Sequence, residues 1–141
     1  MVSYLGKCFC GSVEIQVDGN PNIMAICHCK VCRAWSAGPV NGVALWTPDK
    51  FTIIFGEEQL DSYAKNPGHD RTWCKKCGGH IFTDHSNSLG FFDVYASILE
   101  DFNFKPTMHL NYENTIIKIP DDLPKFVDYP KEMGGSGNLI E

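Results

Sequence analysis

The sequence has no hydrophobic run that approaches the roughly 18 apolar residues needed to cross a bilayer. Its first ten residues, MVSYLGKCFC, also lack the basic start and apolar segment of a secretory signal. These absences predict a soluble, cytoplasmic protein that has no membrane partner.

Clusters of basic residues are also missing. The chain has 12 Lys and Arg residues against 17 Asp and Glu residues, which gives a net charge of -5. Proteins that bind the phosphates of nucleic acids usually carry a basic patch. We therefore expect no nucleic-acid partner.

No apolar pattern of helical period continues over three turns. Short alternating runs with β-branched or aromatic residues recur instead, bounded by Gly, Pro, Asn or Asp, as is typical of strands and turns. These runs are SVEIQV (12–17), FTIIF (51–55), FFDVYA (91–96), MHLNY (108–112) and TIIKI (115–119). They predict a mainly β fold with few short helical turns.

The length and composition fit one domain. The chain has 141 residues, 43% of them hydrophobic, and its nine Phe, five Tyr and three Trp residues can fill one core. There is no internal repeat. We expect a single domain over residues 1–137, followed by a C-terminal tail over residues 138–141.

Seven cysteines are present, so complete pairing into disulfides would leave one thiol over. In a reducing compartment, closely spaced cysteines bind metal more often than they pair. They form three clusters, which are Cys8 with Cys10, then Cys27, Cys29 and Cys32, then Cys74 with Cys77.

A structural zinc is usually held by four ligands, often two close pairs from distant parts of the chain. The first and last clusters provide two such pairs, and Gly78 and Gly79 permit a tight turn after Cys77. We therefore expect a structural zinc at Cys8, Cys10, Cys74 and Cys77.

The remaining thiols, Cys27, Cys29 and Cys32, are one ligand short of a closed site. Catalytic zinc sites have three protein ligands and an open position, so this cluster is the candidate catalytic site. Two alternatives stay open: one thiol is simply buried in the core, or a histidine closes the site. The candidate histidines are His28, His69, His80 and His85.

The three sulfurs also favour a particular chemistry. Thiolates donate charge to zinc, which weakens it as a Lewis acid for making hydroxide from water. A soft anionic sulfur suits such a site, because zinc binding deprotonates a thiol. Chemistry at sulfur is therefore favoured over hydrolysis.

The motifs GKCFCGSVEIQV, CHCKVCRAWSAGP, RTWCKKCGGHIFT, VYASILED, KPTMHLNYEN and DDLPKFVDYPKEMGGSG appear in this order. With them the chain resembles the glutathione-dependent formaldehyde-activating family, which includes centromere protein V, from about Gly6 to Gly137. The resemblance implies a β-tent fold, a structural four-cysteine zinc site and a catalytic zinc site at Cys27, Cys29 and Cys32 with an open position.

The resemblance also implies an activity, the joining of glutathione to formaldehyde to give S-hydroxymethylglutathione, which in reverse is a carbon-sulfur lyase reaction. We therefore predict a zinc-dependent lyase with a small thiol partner such as glutathione. In one alternative, the same zinc site acts on a different thiol, aldehyde or small electrophile. Another is a non-catalytic protein-binding module in which both zincs are structural.

Four further residues border the clusters. Lys30 and Arg33 either pair with glutathione carboxylates or are ordinary surface charges. His28 and His80 either move a proton or, as we favour, orient a sulfur or fill the core.

Overall fold

The computed structural model describes residues 1–140 and is mainly β. One helix, α1, covers Lys30–Ser36, and five 3-10 turns are Pro48–Lys50, Glu57–Gln59, Ala96–Ile98, Tyr112–Asn114 and Lys131–Met133. The ten strands are β1 (Ser3–Lys7), β2 (Glu14–Asp18), β3 (Ile23–Cys27), β4 (Asn41–Trp46), β5 (Phe51–Phe55), β6 (Leu60–Tyr63), β7 (Asp70–Cys74), β8 (His80–His85), β9 (Phe91–Val94) and β10 (His109–Leu110). The predicted mainly β fold with few helical turns is confirmed.

The described chain forms two compact units. The first combines Met1–Ile23 with Ala44–Phe104, and the second combines Met24–Val43 with the residues from Lys105 onward. Each unit is therefore assembled from two separate stretches of sequence. Among residues 1–140, no helix is long and apolar enough to span a membrane.

The first unit contains most of the strands. β2 lies between β1 and β5 with antiparallel pairing on both sides. β6, β7, β8 and β9 pair in that order as an antiparallel meander, and the end of β4 pairs with β9. Alternate residues of β2 are buried, as the alternating run 12–17 predicted. Ile15, Trp46, Ile81 and Val94 are fully buried in this core.

A buried carboxyl group in the first unit makes stability depend on pH. The Asp93 carboxylate on β9 accepts the Ala44 backbone N–H at 3.1 Å. Burial raises the pKa of Asp93 to about 7, against the smaller opposite effects of that N–H group and of Arg71. The folded protein therefore holds this proton more tightly than the unfolded chain, in which an aspartate pKa is about 3.9.

Asp93→Asn should become more stable relative to wild type as the pH rises from 5 to 8. At pH values below the pKa of Asp93 in the unfolded chain, the raised pKa stabilises the folded wild-type protein fully, and this stabilisation is lost as the pH rises to about 7. The Asn side chain stays neutral at every pH, so the variant does not lose stability in this way. The full rise corresponds to about 4 kcal/mol. Because the range from pH 5 to 8 covers only the upper part of the interval between the unfolded and folded pKa values, we expect about 1–3 kcal/mol. Urea unfolding at both pH values measures the difference, and a gap that does not widen with pH would contradict this assignment.

The second unit contains β3 and β10, which pair in parallel with Ile26 opposite His109 and Cys27 opposite Leu110. Helix α1 follows β3 directly and ends at Ala37, which has a left-handed backbone conformation. Residues 138–140, in the predicted tail, pair with the segment around Phe126 through a Leu139 bridge. Glu141 lies outside the described residues.

The predicted strand over residues 115–119 is wrong, because this segment is irregular. The Thr115 side chain accepts the Ile117 backbone N–H at 3.2 Å, so this amide bonds locally instead of joining a strand. Ile116 and Ile117 are 65% and 46% exposed. Their β-branched side chains gave a strand pattern, but no neighbouring strand covers them.

Candidate metal centres

Four cysteines of the first unit bring their sulfurs together. Cys8 lies just after β1, and Cys74 is the last residue of β7. The Sγ atoms of Cys8, Cys10, Cys74 and Cys77 all lie within 4.8 Å of one another. The distance is 3.7 Å from Cys8 to Cys10 and 3.9 Å from Cys10 to Cys74. The structure thus joins the two pairs that the spacing predicted to share one metal.

Backbone N–H groups point at these sulfurs. Val13 donates to Cys8 Sγ at 3.3 Å, and Gly79 donates to Cys77 Sγ at 3.4 Å. Gly78 has φ 76, a conformation that glycine adopts without strain, so the chain can turn back onto Cys77. Hydrogen bonds from Ser12 lower the pKa of the Cys10 thiol to about 6. These contacts all favour the deprotonated, thiolate form of the cysteines in this group.

Three cysteines of the second unit form the other group. Cys27 ends β3 and is buried, while Cys29 and Cys32 are half-buried at the start of α1. Their sulfurs also lie within 4.8 Å of one another. The Cys29 sulfur caps the helix by accepting the Cys32 backbone N–H at 3.2 Å. Within residues 24–43 and 105–140, no other Cys, His, Asp or Glu joins this group.

The protonation states of the three thiols in this group depend on one another. Hydrogen bonds from Cys27 and Cys32 lower the pKa of Cys29, while the hydrogen bond to Cys29 raises the pKa of Cys27. Like charges this close disfavour joint ionisation. The three sulfurs can all be thiolates only if a cation balances their charge.

Both groups fit zinc. With a zinc-sulfur distance of 2.3 Å, a tetrahedral site spaces its sulfurs about 3.8 Å apart. The 3.7 and 3.9 Å distances in the first group match this spacing. The second group has soft sulfur donors at close range but only three of them. Both clusters can hold a metal ion, and the donor chemistry is that of zinc.

A chain of hydrogen-bonded side chains, two of them fully buried, holds the loop between Cys27 and Cys29. His28 is fully buried, and its Nε2 lies 2.8 Å from Nδ1 of His109. His109, also fully buried, donates from Nε2 to the Asp121 carboxylate at 2.8 Å. Burial lowers the pKa of His28 to about 4, so its ring is neutral near pH 7. His28 is thus a buried member of a hydrogen-bond chain, and a role in orienting a sulfur stays a prediction.

The sequence interpretation missed His109 and two neighbours of the three-sulfur group. Asn111 donates from Nδ2 toward Cys27 Sγ at 3.6 Å. Tyr129 has a raised pKa, first because of burial and also because of the three cysteines. These side chains come from a stretch that carries no metal-ligand spacing, so no local signal marks them. Asp121 also accepts the Leu123 N–H, a local bond typical of a turn.

The remaining residues that the sequence analysis named are not members of either cysteine group. His69 and His85, in the first unit, approach each other with their Nδ1 atoms 2.7 Å apart. The His80 ring lies 5.9 Å from the ring of Tyr95, and burial lowers its pKa. Lys30 and Arg33, in the second unit, line a cavity. A closing role for His69, His80 or His85 at the three-sulfur group stays a prediction.

The chain is similar to known proteins over most of its length. A family model described as glutathione-dependent formaldehyde-activating enzyme matches residues 3–114, which include all seven cysteines. An uncharacterized lyase of Schizosaccharomyces pombe is 23% identical over 129 residues, covering 92% of this chain and 87% of that protein.

Among solved structures, the crystal structure of a Rhodobacter sphaeroides protein superposes with a TM-score of 0.59 at 24% identity. The match covers 70% of this chain and 90% of that one. At this identity the likeness shows a shared fold.

Proposed function

Because the chain belongs to the glutathione-dependent formaldehyde-activating enzyme family, we propose that it is a zinc-dependent carbon-sulfur lyase acting on a thiol-aldehyde adduct. The family and a relative named as a lyase support lyase activity in general. Glutathione and formaldehyde are the pair that the family description names. The proposed catalytic residues are Cys27, Cys29 and Cys32.

The observation that carries this proposal is the three-sulfur group. Its sulfurs meet at the end of β3 and the start of α1, and the described residues of its own unit, 24–43 and 105–140, supply no fourth acidic, histidine or cysteine ligand. When bound, zinc would supply an open position suited to a thiolate sulfur. The four-sulfur group has the complete set of a structural site, so we assign it to the fold.

The residues of the chain prepare this site in three ways. Cys27, Cys29 and Cys32 would hold the metal. The bonds from Asn111 to Cys27 and from the Cys32 N–H to Cys29 fix two of the sulfurs. The chain from His28 through His109 to Asp121 fixes the backbone between them. Such orienting contacts are as important to metal sites as the ligands themselves.

The reaction needs little covalent chemistry from the protein. In the synthetic direction, the thiol sulfur bonds to the aldehyde carbon, and the thiol proton ends on the aldehyde oxygen. Holding two small reactants in the right geometry contributes about 7–11 kcal/mol in favourable cases. A rigid site that places thiol and aldehyde side by side therefore accounts for much of the expected rate.

Turnover of thiol and aldehyde pairs by the zinc-loaded protein tests this function. We expect glutathione with formaldehyde to give the hydroxymethyl adduct faster than in buffer, and the cobalt-substituted protein to change its sulfur-to-metal absorption when thiol is added. Turnover only with another thiol and aldehyde pair would support the same catalytic site with a different substrate. No turnover and an unchanged spectrum with every thiol would reject the proposal and favour a protein-binding module.

A further inference from the structure

The second unit contains a cavity that is open to solvent and whose lining includes Lys30 and Arg33, the residues that follow Cys29 and Cys32. Its volume is about 580 Å³, large enough for a small peptide or metabolite. Seven residues line it: Lys30, Arg33, Ala34, Ala37, Gly38, Pro39 and Ile116. Two of them are cations, none is acidic, and the others are small or apolar.

Helix α1 connects this cavity to the sulfurs. Lys30, Arg33, Ala34 and Ala37 follow the i, i+3, i+4, i+7 pattern, so they share one face of the helix and its C-cap. Each cation comes directly after a cysteine, Lys30 after Cys29 and Arg33 after Cys32. Neighbouring residues in a helix are about 100° apart around its axis. The cationic face and the sulfur face are therefore adjacent.

Arg33 is incompletely bonded. Its Nε is buried and has no hydrogen-bond partner among residues 1–140. Native proteins rarely leave a buried polar group without a partner. Ala34 and Ala37 have short side chains that leave open space on the same face. Arg33 as a whole is half-buried and lines this space, so part of its side chain is accessible to an acceptor of a bound ligand.

We propose that this cavity is an anion subsite that binds a carboxylate of the thiol substrate, with Arg33 as the main specificity residue and Lys30 as a second cation. The guanidinium group can pair with a carboxylate through two parallel hydrogen bonds. The alanines and Ile116 would contact the apolar part of the ligand. This inference rests on the proposed function, because it takes the thiol to be held at the neighbouring sulfurs.

A ligand without a free thiol separates the subsite from the metal chemistry. S-methylglutathione keeps the carboxylates of glutathione but cannot bind zinc as a thiolate. By isothermal titration calorimetry on the zinc-loaded wild-type protein, we expect its dimethyl ester to bind at least tenfold more weakly. Equal affinities, or no binding of either ligand at millimolar concentration, would overturn the subsite without needing any variant.

Variants then assign the effect to Arg33. Arg33→Gln should weaken S-methylglutathione binding at least tenfold and remove the preference over the ester, while keeping the wild-type zinc content. Arg33→Lys should restore part of the affinity, because it keeps the charge but loses the planar donor pair. Lys105→Gln removes an exposed cation of the same unit that does not line the cavity, and it should bind like wild type. An equal loss in Lys105→Gln would indicate general charge attraction and contradict the assignment.

The subsite and the function can fail separately. If thiols change the cobalt spectrum but S-methylglutathione binding does not depend on Arg33, the function stands and the subsite is wrong. If S-methylglutathione binding requires Arg33 but no thiol changes the spectrum, the subsite stands and the proposed function is wrong.

Discussion

Cys74→Ser is expected to remove one bound zinc and unfold the first unit. Cys74 is fully buried at the end of β7, and its sulfur lies 3.9 Å from that of Cys10, which is 64 residues earlier. The four-sulfur group thus ties the end of β1 to the end of β7. Structural zinc contributes an apparent 10–16 kcal/mol in small zinc domains, whereas a whole domain is typically stable by about 5–15 kcal/mol.

Circular dichroism and zinc analysis of the purified variant measure this effect. The matched control is Ser12→Ala, which removes a hydroxyl group 3.1 Å from Cys10 Sγ and leaves all four sulfurs in place. It should stay folded with wild-type zinc content. A Cys74→Ser protein that melts at the wild-type temperature would show that the fold does not depend on this group.

Cys29→Ala is expected to lose the other zinc and the activity while staying folded. Changes to residues that merely orient metal ligands cost about 10–100-fold in metal affinity or activity, so the loss of a ligand should exceed a hundredfold. The stability cost should be small. The main loss is the helix cap from Cys29 to the Cys32 N–H, worth about 1 kcal/mol.

Cys29→Ser separates the two roles of this residue. Serine is a good N-cap, so it should keep the cap bond to the Cys32 N–H, but its hydroxyl is a poor zinc ligand. Both variants should therefore lose zinc and turnover, and only the alanine variant should lose the cap energy. Unfolding of both variants would mean that the fold depends on the three-sulfur group. This result would contradict the assignment of three cysteines as catalytic and four as structural.

Parts of the fold were predictable because local patterns determine them. The run FTIIF is β5 at the predicted bounds, and the alternation of residues 12–17 gave the buried face of β2. The run 115–119 has equally good strand residues but finds no partner strand among residues 1–140. Strand propensity reflects packing against neighbours, which a single segment does not reveal.

The sequence by itself determined that the seven cysteines form one group of four and one group of three. A tetrahedral site requires four donors, and the two close pairs supply them, which leaves the remaining three cysteines as a second group. The sequence also determined the strand-rich character of the chain and its family. Only the tertiary structure decided what surrounds the sulfurs. His109 and Asp121 reach the loop of the three-sulfur group from a later segment, and Arg33 opens onto a cavity. The physical reason is that ligand spacing is local along the chain, whereas orienting contacts and cavities depend on which distant segments pack together.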